Sequence, residues 1–285
     1  MQKKLRALKK ILLSVKNIGD LATAESLISF GKVKVNGRIT INPDTLIPPD
    51  SNIDIIPDGQ AIKKYVSRGG IKIEKVFKDF CLSAENKKFI DIGASTGGFT
   101  DFILQNGAGH VTAVDVGYGI IDWQLRNSSK VTLLERTNIK DVTPEMLEHL
   151  SDFTVVDVSF ISLCAIFKKI LDITRSGGEI LMLVKPQFEA DKEDVGAKGL
   201  VTNRLTHKKV LKKICIFISS FKLEVECMTF SKIKGMKGNM EYWIYLKKNF
   251  FKNAPNQQES SAKYDKIVNE VVELAHGYFS NSGKT

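Results

Sequence analysis

Short apolar runs, separated by amphipathic stretches, organise most of this chain. Helix-like patterns between most of the runs indicate strand–helix–strand units and therefore a parallel sheet. Only the glycine- and lysine-rich turn Ser231–Asn239 separates the last two runs, and a connection this short requires an antiparallel hairpin. The pattern predicts an α/β fold that ends in a C-terminal antiparallel hairpin, with seven strands at Phe89–Ile92, His110–Val116, Val131–Leu134, Phe153–Val158, Ile180–Val184, Leu223–Phe230 and Tyr242–Leu246.

The segment after the first of these strands predicts a cofactor-binding turn. Residues 88–101 read KFIDIGASTGGFTD, a strand followed by small residues and then by apolar residues at helical spacing. Such a turn brings backbone N–H groups against a nucleotide-like ligand. A dinucleotide fingerprint requires glycine at position 95, where Ser95 stands, so the spacing favours S-adenosylmethionine (SAM); a dinucleotide and a plain glycine-rich loop remain alternatives. The candidate cofactor-binding residues here are Asp91, Gly93, Ala94, Ser95, Gly97, Gly98 and Phe99.

Three polar residues have specific expected contacts in this site. Asp91 is expected near the ammonium group of SAM, where a carboxylate is favourable. Asp115 ends the next strand, where an acid can accept both ribose hydroxyls of either SAM or a dinucleotide. Asn138 is a candidate for a hydrogen bond to adenine.

Positive charge is concentrated at the N-terminus. The chain has a net charge of +10, and residues 1–40 contain nine basic and two acidic side chains. Two helices are predicted at Leu5–Val15 and Leu21–Phe30, followed by alternating Lys and Val and by an Asn36-Gly37 hairpin turn. A small β-rich module with a basic face suits RNA, although many charge runs are only solvated surface. The candidate RNA-binding residues are Arg6, Lys9, Lys10, Lys32, Lys34, Arg38 and Arg68.

Several function classes are disfavoured by composition. The four cysteines have no CxxC spacing and the four histidines show no metal-ligand pattern, so we expect reduced thiols, a cytoplasmic protein and no metal. The chain contains no apolar run near the ~18–20 residues of a membrane span and no signal-peptide pattern, so stable membrane association is not expected. The first helix is basic and amphipathic, which leaves adhesion to a lipid surface open.

An ordered set of motifs resembles known families. Residues 24–37, with the pattern A-x-x-L-I-x-x-G-x-V-x-V-N-G, resemble the S4 RNA-binding domain. The segments KYVSRGGIK, DIGASTGGFT, DVSF, KPQF and NMEYW, beginning at positions 64, 91, 157, 185 and 239, resemble the TlyA family. Members of that family are often labelled hemolysins, and their catalytic domain is related to the FtsJ ribose methyltransferases. The resemblance covers about residues 1–248.

The resemblance implies a SAM-dependent methyltransferase that modifies the 2′-hydroxyl of cytidine in ribosomal RNA, 16S, 23S or both, within ribosomal subunits. The family's Lys-Asp-Lys-Glu tetrad falls on Lys72, Asp157, Lys185 and Glu241. Asp157 and Lys185 follow two apolar strands, at the sheet edge where α/β folds bind ligands, and Asp157 is also a candidate cofactor contact. Lys185 is the candidate base and the candidate group for steering the hydroxyl.

The implied architecture has four parts. An S4-like α+β domain is expected at 1–60, a linker at 61–71, an FtsJ-like domain with a Rossmann-like seven-stranded sheet at 72–250, and a polar linker with an amphipathic helix at 251–285. Leu5-Arg6-Ala7 and Leu21-Ala22-Thr23 depart from the usual S4 residues, so some RNA contacts are expected to differ. Two other classes remain as alternatives, namely a non-catalytic RNA-binding assembly factor and a membrane-active hemolysin.

Four aromatic residues have two interpretations each. They follow or open strands next to the tetrad, where a ring can stack on a flipped base or pack into the core. These residues are Phe160, Phe188, Tyr242 and Trp243.

Overall fold

The computed structural model describes residues 5–15, 18, 21–29, 32–40, 42–56, 64–249 and 257–281. The chain divides into two compact units, Met1–Arg68 and Gly69–Thr285. Each unit is described by itself below.

The first unit combines two helices with short strands. Its elements are β1 (Arg6–Ala7), α1 (Leu8–Val15), α2 (Leu21–Ser29), β2 (Val33–Val35), β3 (Arg38–Ile39), β4 (Leu46–Ile47) and β5 (Ile53–Ile55). The strands form a β3-β2-β5 sheet and a β1-β4 pair. The apolar faces of both helices pack on strand residues, so that Leu8, Leu12, Ala24, Ile28, Val33 and Ile53 form the core.

Local sequence explains the hairpin but not the start of the first helix. Asn36 and Gly37 both have positive φ, 50° and 79°, as a two-residue turn between β2 and β3 requires. The expected helix at Leu5–Val15 begins later, at Leu8, because Arg6 and Ala7 pair with Ile47 and Leu46 in an antiparallel ladder. Tertiary pairing therefore overrides the helical pattern of the first residues.

The second unit carries the seven-stranded sheet that the apolar runs predict. Its strands are β6 (Lys88–Ile92), β7 (His110–Val114), β8 (Val131–Leu134), β9 (Ser151–Val156), β10 (Thr174–Val184), β11 (Val225–Phe230) and β12 (Tyr242–Lys247). The strand order in the sheet is β11-β12-β10-β9-β6-β7-β8. Strand β12 is antiparallel to both of its neighbours, β11 and β10. The neighbouring strands β10, β9, β6, β7 and β8 are all parallel to one another. The predicted Rossmann-like sheet and its C-terminal antiparallel hairpin are confirmed.

Seven α-helices in the described part of this unit accompany the sheet. They are α3 (Arg68–Asp79), α4 (Gly98–Gln105), α5 (Trp123–Arg126), α6 (Leu163–Ile173), α7 (Pro186–Glu189), α8 (Arg204–Ser220) and, after the sheet, α9 (Gln257–Asn281). The main core lies between the strands and helices α6, α8 and α9, and includes Ile90, Phe167, Met182, Ile214, Tyr264 and Val272. The C-terminal helix thus belongs to the core of this unit.

The structure corrects two predicted boundaries. Helix α3 begins at Arg68, inside the expected linker 61–71, because burial of Gly70 and Lys72 compensates for the low helix propensity of the local glycines. Helix α9 begins at Gln257, early in the segment 251–285 that was expected to open with a polar linker. The helix includes QQESSA at 257–262, where Gln, Glu and Ala are good helix formers. Residues 61–63 of the first expected linker and residues 251–256 of the C-terminal polar linker lie outside the described residues, as do residues 57–60 and 250 of the two expected domains.

Candidate active site

The glycine-rich turn lies where the strand order of the sheet reverses. Strand β6 is the first strand of the sheet in sequence, with β7 on one side and β9 on the other. Ligands bind in α/β sheets at such a switch point, outside the carboxyl ends of the strands. Gly93 follows β6 with φ of +84°, and a Cβ there would lie 2.4 Å from the carbonyl oxygen of Asp157. Only glycine allows the turn to approach the next loop this closely.

A pocket of about 530 Å³ opens at this point. This is within the ~300–1,000 Å³ range of small-molecule sites. The loops after four neighbouring strands supply its wall, with the residues Ile92, Gly93, Ser95, Val114, Asp115, Val116, Thr137, Asn138, Ile139, Lys140, Asp157, Val158, Ser159, Phe160 and Ile161. Five predicted cofactor residues therefore line it, namely Gly93, Ser95, Asp115, Asn138 and Asp157. The other lining residues lie at the last position of a strand or in the loop after it, and this position is the sequence signal that could have identified them.

The remaining predicted cofactor residues shape the turn without lining the pocket. These are Asp91, Ala94, Gly97, Gly98 and Phe99. Gly97 has φ of +91°, and a Cβ there would lie 2.2 Å from Leu125 Cδ1, so a side chain at this position would displace Leu125 of helix α5. Gly98 and Phe99 begin helix α4 and are buried.

Asp91 lies fully buried beneath the turn. Its Oδ2 accepts hydrogen bonds from the backbone N–H (3.1 Å) and the hydroxyl (2.7 Å) of Thr100, which fixes the start of α4. Its Oδ1 is buried and accepts no hydrogen bond from the described residues. Burial raises the pKa of Asp91 to about 7, although the Thr100 contacts act in the opposite direction. A buried acceptor without a partner suits a ligand that carries an ammonium group, as SAM does.

Asp115 organises the mouth of the pocket. Its Oδ2 accepts from the N–H of Ser95 (2.8 Å) and its Oδ1 from the N–H of Gly117 (2.7 Å). Each carboxylate oxygen has a second acceptor site, so the group can still accept ribose hydroxyls. Asn138 uses its side-chain oxygen to accept from the N–H of Lys140 (3.1 Å), which leaves its amide N–H₂ as the group available for a ligand. The donor and acceptor set of the pocket therefore fits a nucleoside cofactor.

The four residues of the predicted tetrad form two ion pairs. Lys72 Nζ lies 2.6 Å from Glu241 Oε2, and both side chains are almost fully buried, at 7% and 3% exposure. Lys185 Nζ lies 2.5 Å from Asp157 Oδ1 and donates a hydrogen bond to the Ser159 hydroxyl at 2.9 Å. Of these four, Asp157 lines the pocket.

Strand register explains why these distant residues meet at one edge. Val184 of β10 is paired with Tyr242 of β12, so Lys185 and Glu241 lie just beyond the same rung of the ladder. Asp157 follows β9, and its N–H donates to the Ile92 carbonyl at the end of β6 (2.9 Å). Because the carboxyl ends of parallel strands share one edge, the sequence order predicted this grouping. The tertiary pairing decided which lysine contacts which acid.

The four aromatic candidates separate into two groups. Tyr242 and Trp243 are buried in the core because β12 lies between two strands and both its faces are covered. Phe160 is 83% exposed at the pocket and contacts Phe188 with ring centroids 4.9 Å apart. Only Phe160 and Phe188 are therefore placed where a ring can meet a substrate.

The basic residues of the first unit differ in their environments. Arg6, Lys10 and Arg38 are exposed, and Lys32 and Lys34 are half-buried. Lys9 lies 2.6 Å from Glu25 and 3.0 Å from Asp44, and these contacts raise its pKa. Lys9 is thus already neutralised by two carboxylates, a pairing that its sequence position did not indicate. Arg68 is half-buried at the first residue of α3.

Two kinds of structural feature are absent from the described residues. In these ranges, no cluster of three or more His, Cys, Asp or Glu side chains could hold a metal ion. Within the same part of the chain, no helix is long and apolar enough to cross a membrane.

Comparison with known proteins identifies a family that matches this chain and several similar proteins. Residues 65–248 match the model of the family described as FtsJ-like methyltransferase. A candidate rRNA methyltransferase, YqxC of Bacillus subtilis, is 39% identical over 246 residues, covering 84% of this chain and 85% of that protein. The 16S/23S rRNA (cytidine-2′-O)-methyltransferase TlyA of Mycobacterium tuberculosis is 34% identical over 224 residues, covering 79% and 83%. A solved structure of a candidate hemolysin from Streptococcus thermophilus superposes with a TM-score of 0.74 at 35% identity, covering 99% of each chain.

Proposed function

Because the chain belongs to the FtsJ-like methyltransferase family, together with the hemolysin-labelled TlyA proteins, we propose that it methylates the 2′-hydroxyl of a cytidine in ribosomal RNA. The observation that carries the proposal is the pairing of Lys185 with Asp157 beside the nucleoside-sized pocket. We assign SAM to that pocket, held by the turn after β6, by Asp115 and by Asn138. When bound, SAM supplies the activated methyl group.

Lys185 is assigned two tasks in this reaction. A ribose 2′-hydroxyl is a poor nucleophile near neutral pH, so its proton must be removed and its oxygen must be aligned with the methyl carbon. Alignment can supply about 7–11 kcal/mol, whereas general-base action is worth about 10²–10⁴-fold. The two contacts that hold Lys185, to Asp157 and Ser159, favour alignment as its larger contribution.

Lys72 and Glu241 are assigned a supporting task. Their contact is buried, so each charge is compensated by the other and Glu241 is held at the sheet edge beside Lys185. We expect this buried pair to fix the position of the sheet edge against which the reacting ribose would bind. Phe160, exposed beside the pocket, is assigned to stacking with a base.

The first unit is proposed to anchor the RNA. Its exposed and half-buried basic residues Arg6, Lys10, Lys32, Lys34 and Arg38 would contact phosphates, a role that resembles that of S4 domains. Ribosomal RNA within a subunit is the proposed partner. Such contacts add affinity without reading sequence, so the catalytic unit would choose the cytidine.

The decisive experiment uses purified full-length protein, methyl-labelled SAM and unmodified small and large ribosomal subunits, separately and together. We expect label on RNA that maps to a cytidine 2′-hydroxyl. The Lys185→Ala and Asp157→Ala variants should lose turnover, whereas Lys168→Ala, a change at an exposed lysine of α6, should not. Wild-type protein that binds SAM but labels no RNA would overturn the proposal and favour a non-catalytic RNA-binding role. Full activity in both site variants would refute the assignment of the catalytic residues.

A further inference from the structure

Glu189 is a buried carboxylate that the proposed mechanism does not use. It is the last residue of α7, four positions after Lys185, and is 5% exposed. Burial raises the pKa of Glu189. A buried carboxylate destabilises the fold unless it has well-placed hydrogen-bond partners. A buried acid so near the catalytic lysine calls for a physical role.

The partners of Glu189 lie on a different segment of the chain. Its Oε1 accepts from the N–H of Leu163 at 2.6 Å, and its Oε2 accepts from the hydroxyl of Ser162 at 2.7 Å. Ser162 and Leu163 begin helix α6, where unpaired N–H groups and the helix dipole favour an anion. Both oxygens of Glu189 thus hold the end of the loop that begins at Asp157.

The loop held in this way, residues 157–162, carries half of the catalytic contact. Asp157 meets Lys185 at its beginning, Ser159 meets Lys185 two residues later, and residues 157–161 line the pocket. Two segments, 157–163 and 185–189, are therefore joined at both ends. Lys185 makes the contacts at one end and Glu189 makes those at the other.

Backbone strain indicates that this loop needs to be held. Phe160 has φ of 65°, in the left-handed region that bulky side chains avoid. Such a conformation is unfavourable for a non-glycine residue and persists only where the surroundings impose it. The contacts of Glu189, together with the Phe160–Phe188 ring contact, supply that restraint.

We propose that Glu189 is a positioning residue for methyl transfer, which acts by holding the Asp157 loop against the Lys185 segment. The inference rests on the proposed function for its effect on turnover. Its structural part, that Glu189 fixes residues 157–163, can be measured without catalysis. A helix cap alone would stabilise α6 but would have no reason to alter the rate of a fully folded enzyme.

The test compares Glu189→Ala and Glu189→Gln in the full-length protein. Glutamine keeps the size of the side chain and one acceptor, so it should retain much of the restraint that alanine loses. We expect Glu189→Ala to lower kcat at least 10-fold with the KM for RNA changed less than 3-fold, and Glu189→Gln to recover most of kcat. Asp191→Ala, which removes an exposed acid two residues away that pairs with Lys209, should leave kcat within 2-fold.

Hydrogen exchange provides the readout that does not depend on activity. Exchange of the Leu163 amide and of amides in 157–161 should accelerate at least 10-fold in Glu189→Ala at a temperature where the protein remains folded. If wild-type protein methylates no RNA, the proposed function fails, and the exchange result still decides whether Glu189 holds the loop.

Three outcomes would overturn the inference. They are a kcat for Glu189→Ala within 3-fold of wild type, equal losses of kcat in the Gln and Ala variants, or unchanged exchange in residues 157–163. If Glu189→Ala does not fold, Ser162→Ala removes one of the two Glu189 contacts, together with the cap hydrogen bond from the Cys164 N–H, and should lower kcat about 3–10-fold. An unchanged kcat in that variant would also reject the positioning role.

Discussion

Acid should destabilise the second unit through a buried histidine. His207 on α8 is fully buried; its Nε2 lies 3.0 Å from the Val201 carbonyl and its Nδ1 2.8 Å from the Tyr242 hydroxyl. The carbonyl can only accept, so Nε2 carries the hydrogen and Nδ1 accepts from Tyr242. His276 of α9 lies 3.0 Å from the same Nδ1. Protonation of His207 would place a buried charge among these groups.

The magnitude follows from the pKa of His207. Burial, with His276 as a second cause, lowers that pKa from 6.5 to about 4. Because the folded-state pKa is depressed, folding favours the neutral ring. The contribution of the neutral ring to the free energy of unfolding is complete above the unfolded-state pKa. It is lost as the pH falls through 6.5 toward 4. At about 1.4 kcal/mol per unit the full effect is about 3 kcal/mol, and about 2 kcal/mol of it is lost between pH 7 and pH 5.

The assay must separate His207 from groups with the opposite sign. Asp91, whose pKa is raised to about 7, favours folding more as the pH falls, so the wild-type slope alone is not diagnostic. The measured quantity is the difference in free energy of unfolding between wild type and His207→Gln, from urea titrations at constant ionic strength. The fluorescence of Trp243, buried in β12 beside Tyr242, reports on this unit. Trp123→Phe in both proteins removes the other, exposed tryptophan from the signal.

We expect the advantage of wild type over His207→Gln to shrink by about 2 kcal/mol from pH 7 to pH 5, because only wild type must protonate the ring on unfolding. A difference that stays constant within about 0.5 kcal/mol over this range would refute the reasoning. It would mean that His207 keeps an ordinary pKa in the folded protein.

Three further substitutions test other parts of the structure. Gly93→Ala places a Cβ 2.4 Å from the Asp157 carbonyl oxygen at φ of +84°, so SAM affinity in equilibrium dialysis should fall at least 10-fold; unchanged affinity would reject the role of this turn. Lys72→Met leaves Glu241 buried without its partner, which typically costs about 3–5 kcal/mol, so the urea midpoint and turnover should both fall. Arg38→Ala should weaken RNA binding and make log K against log salt shallower by about 1, without a change in SAM affinity; an unchanged salt slope would remove Arg38 from the RNA interface.

Controls of the same type are available within the chain. Gly119 also has positive φ, +71°, but has open space around its Cβ position, so Gly119→Ala separates backbone strain from the clash at position 93. Lys266→Ala removes a positive charge from α9, far along the sequence from Arg38. It should leave the salt slope of RNA binding nearly unchanged.

Much of the second unit was predictable because its signals are local. Apolar runs with helical spacing between them define strands in a parallel sheet, and the short turn at Ser231–Asn239 allows only a hairpin. The same reasoning places Asp157 and Lys185 at one edge, because all carboxyl ends of parallel strands lie together. The SAM-type spacing of the glycine-rich turn, with glycine absent at position 95, likewise depends on neighbouring residues alone.

The tertiary structure decided which groups touch, and three residues illustrate the difference. The ligand contact expected of Asp91 stays a prediction; the tertiary structure adds that Asp91 lies beneath the turn and accepts hydrogen bonds from Thr100, because the last residues of β6 are covered on both faces. The RNA contact expected of Lys9 also stays a prediction, and the structure adds that Lys9 pairs with Glu25 and Asp44, which folding brings to it from distant positions.

Glu189 carried no sequence signal, since its partners lie 26 and 27 residues earlier. Periodicity and short motifs record what neighbouring residues prefer. Burial, ion pairing and pKa depend on segments far apart in the chain, and these are set only when strands and helices pack.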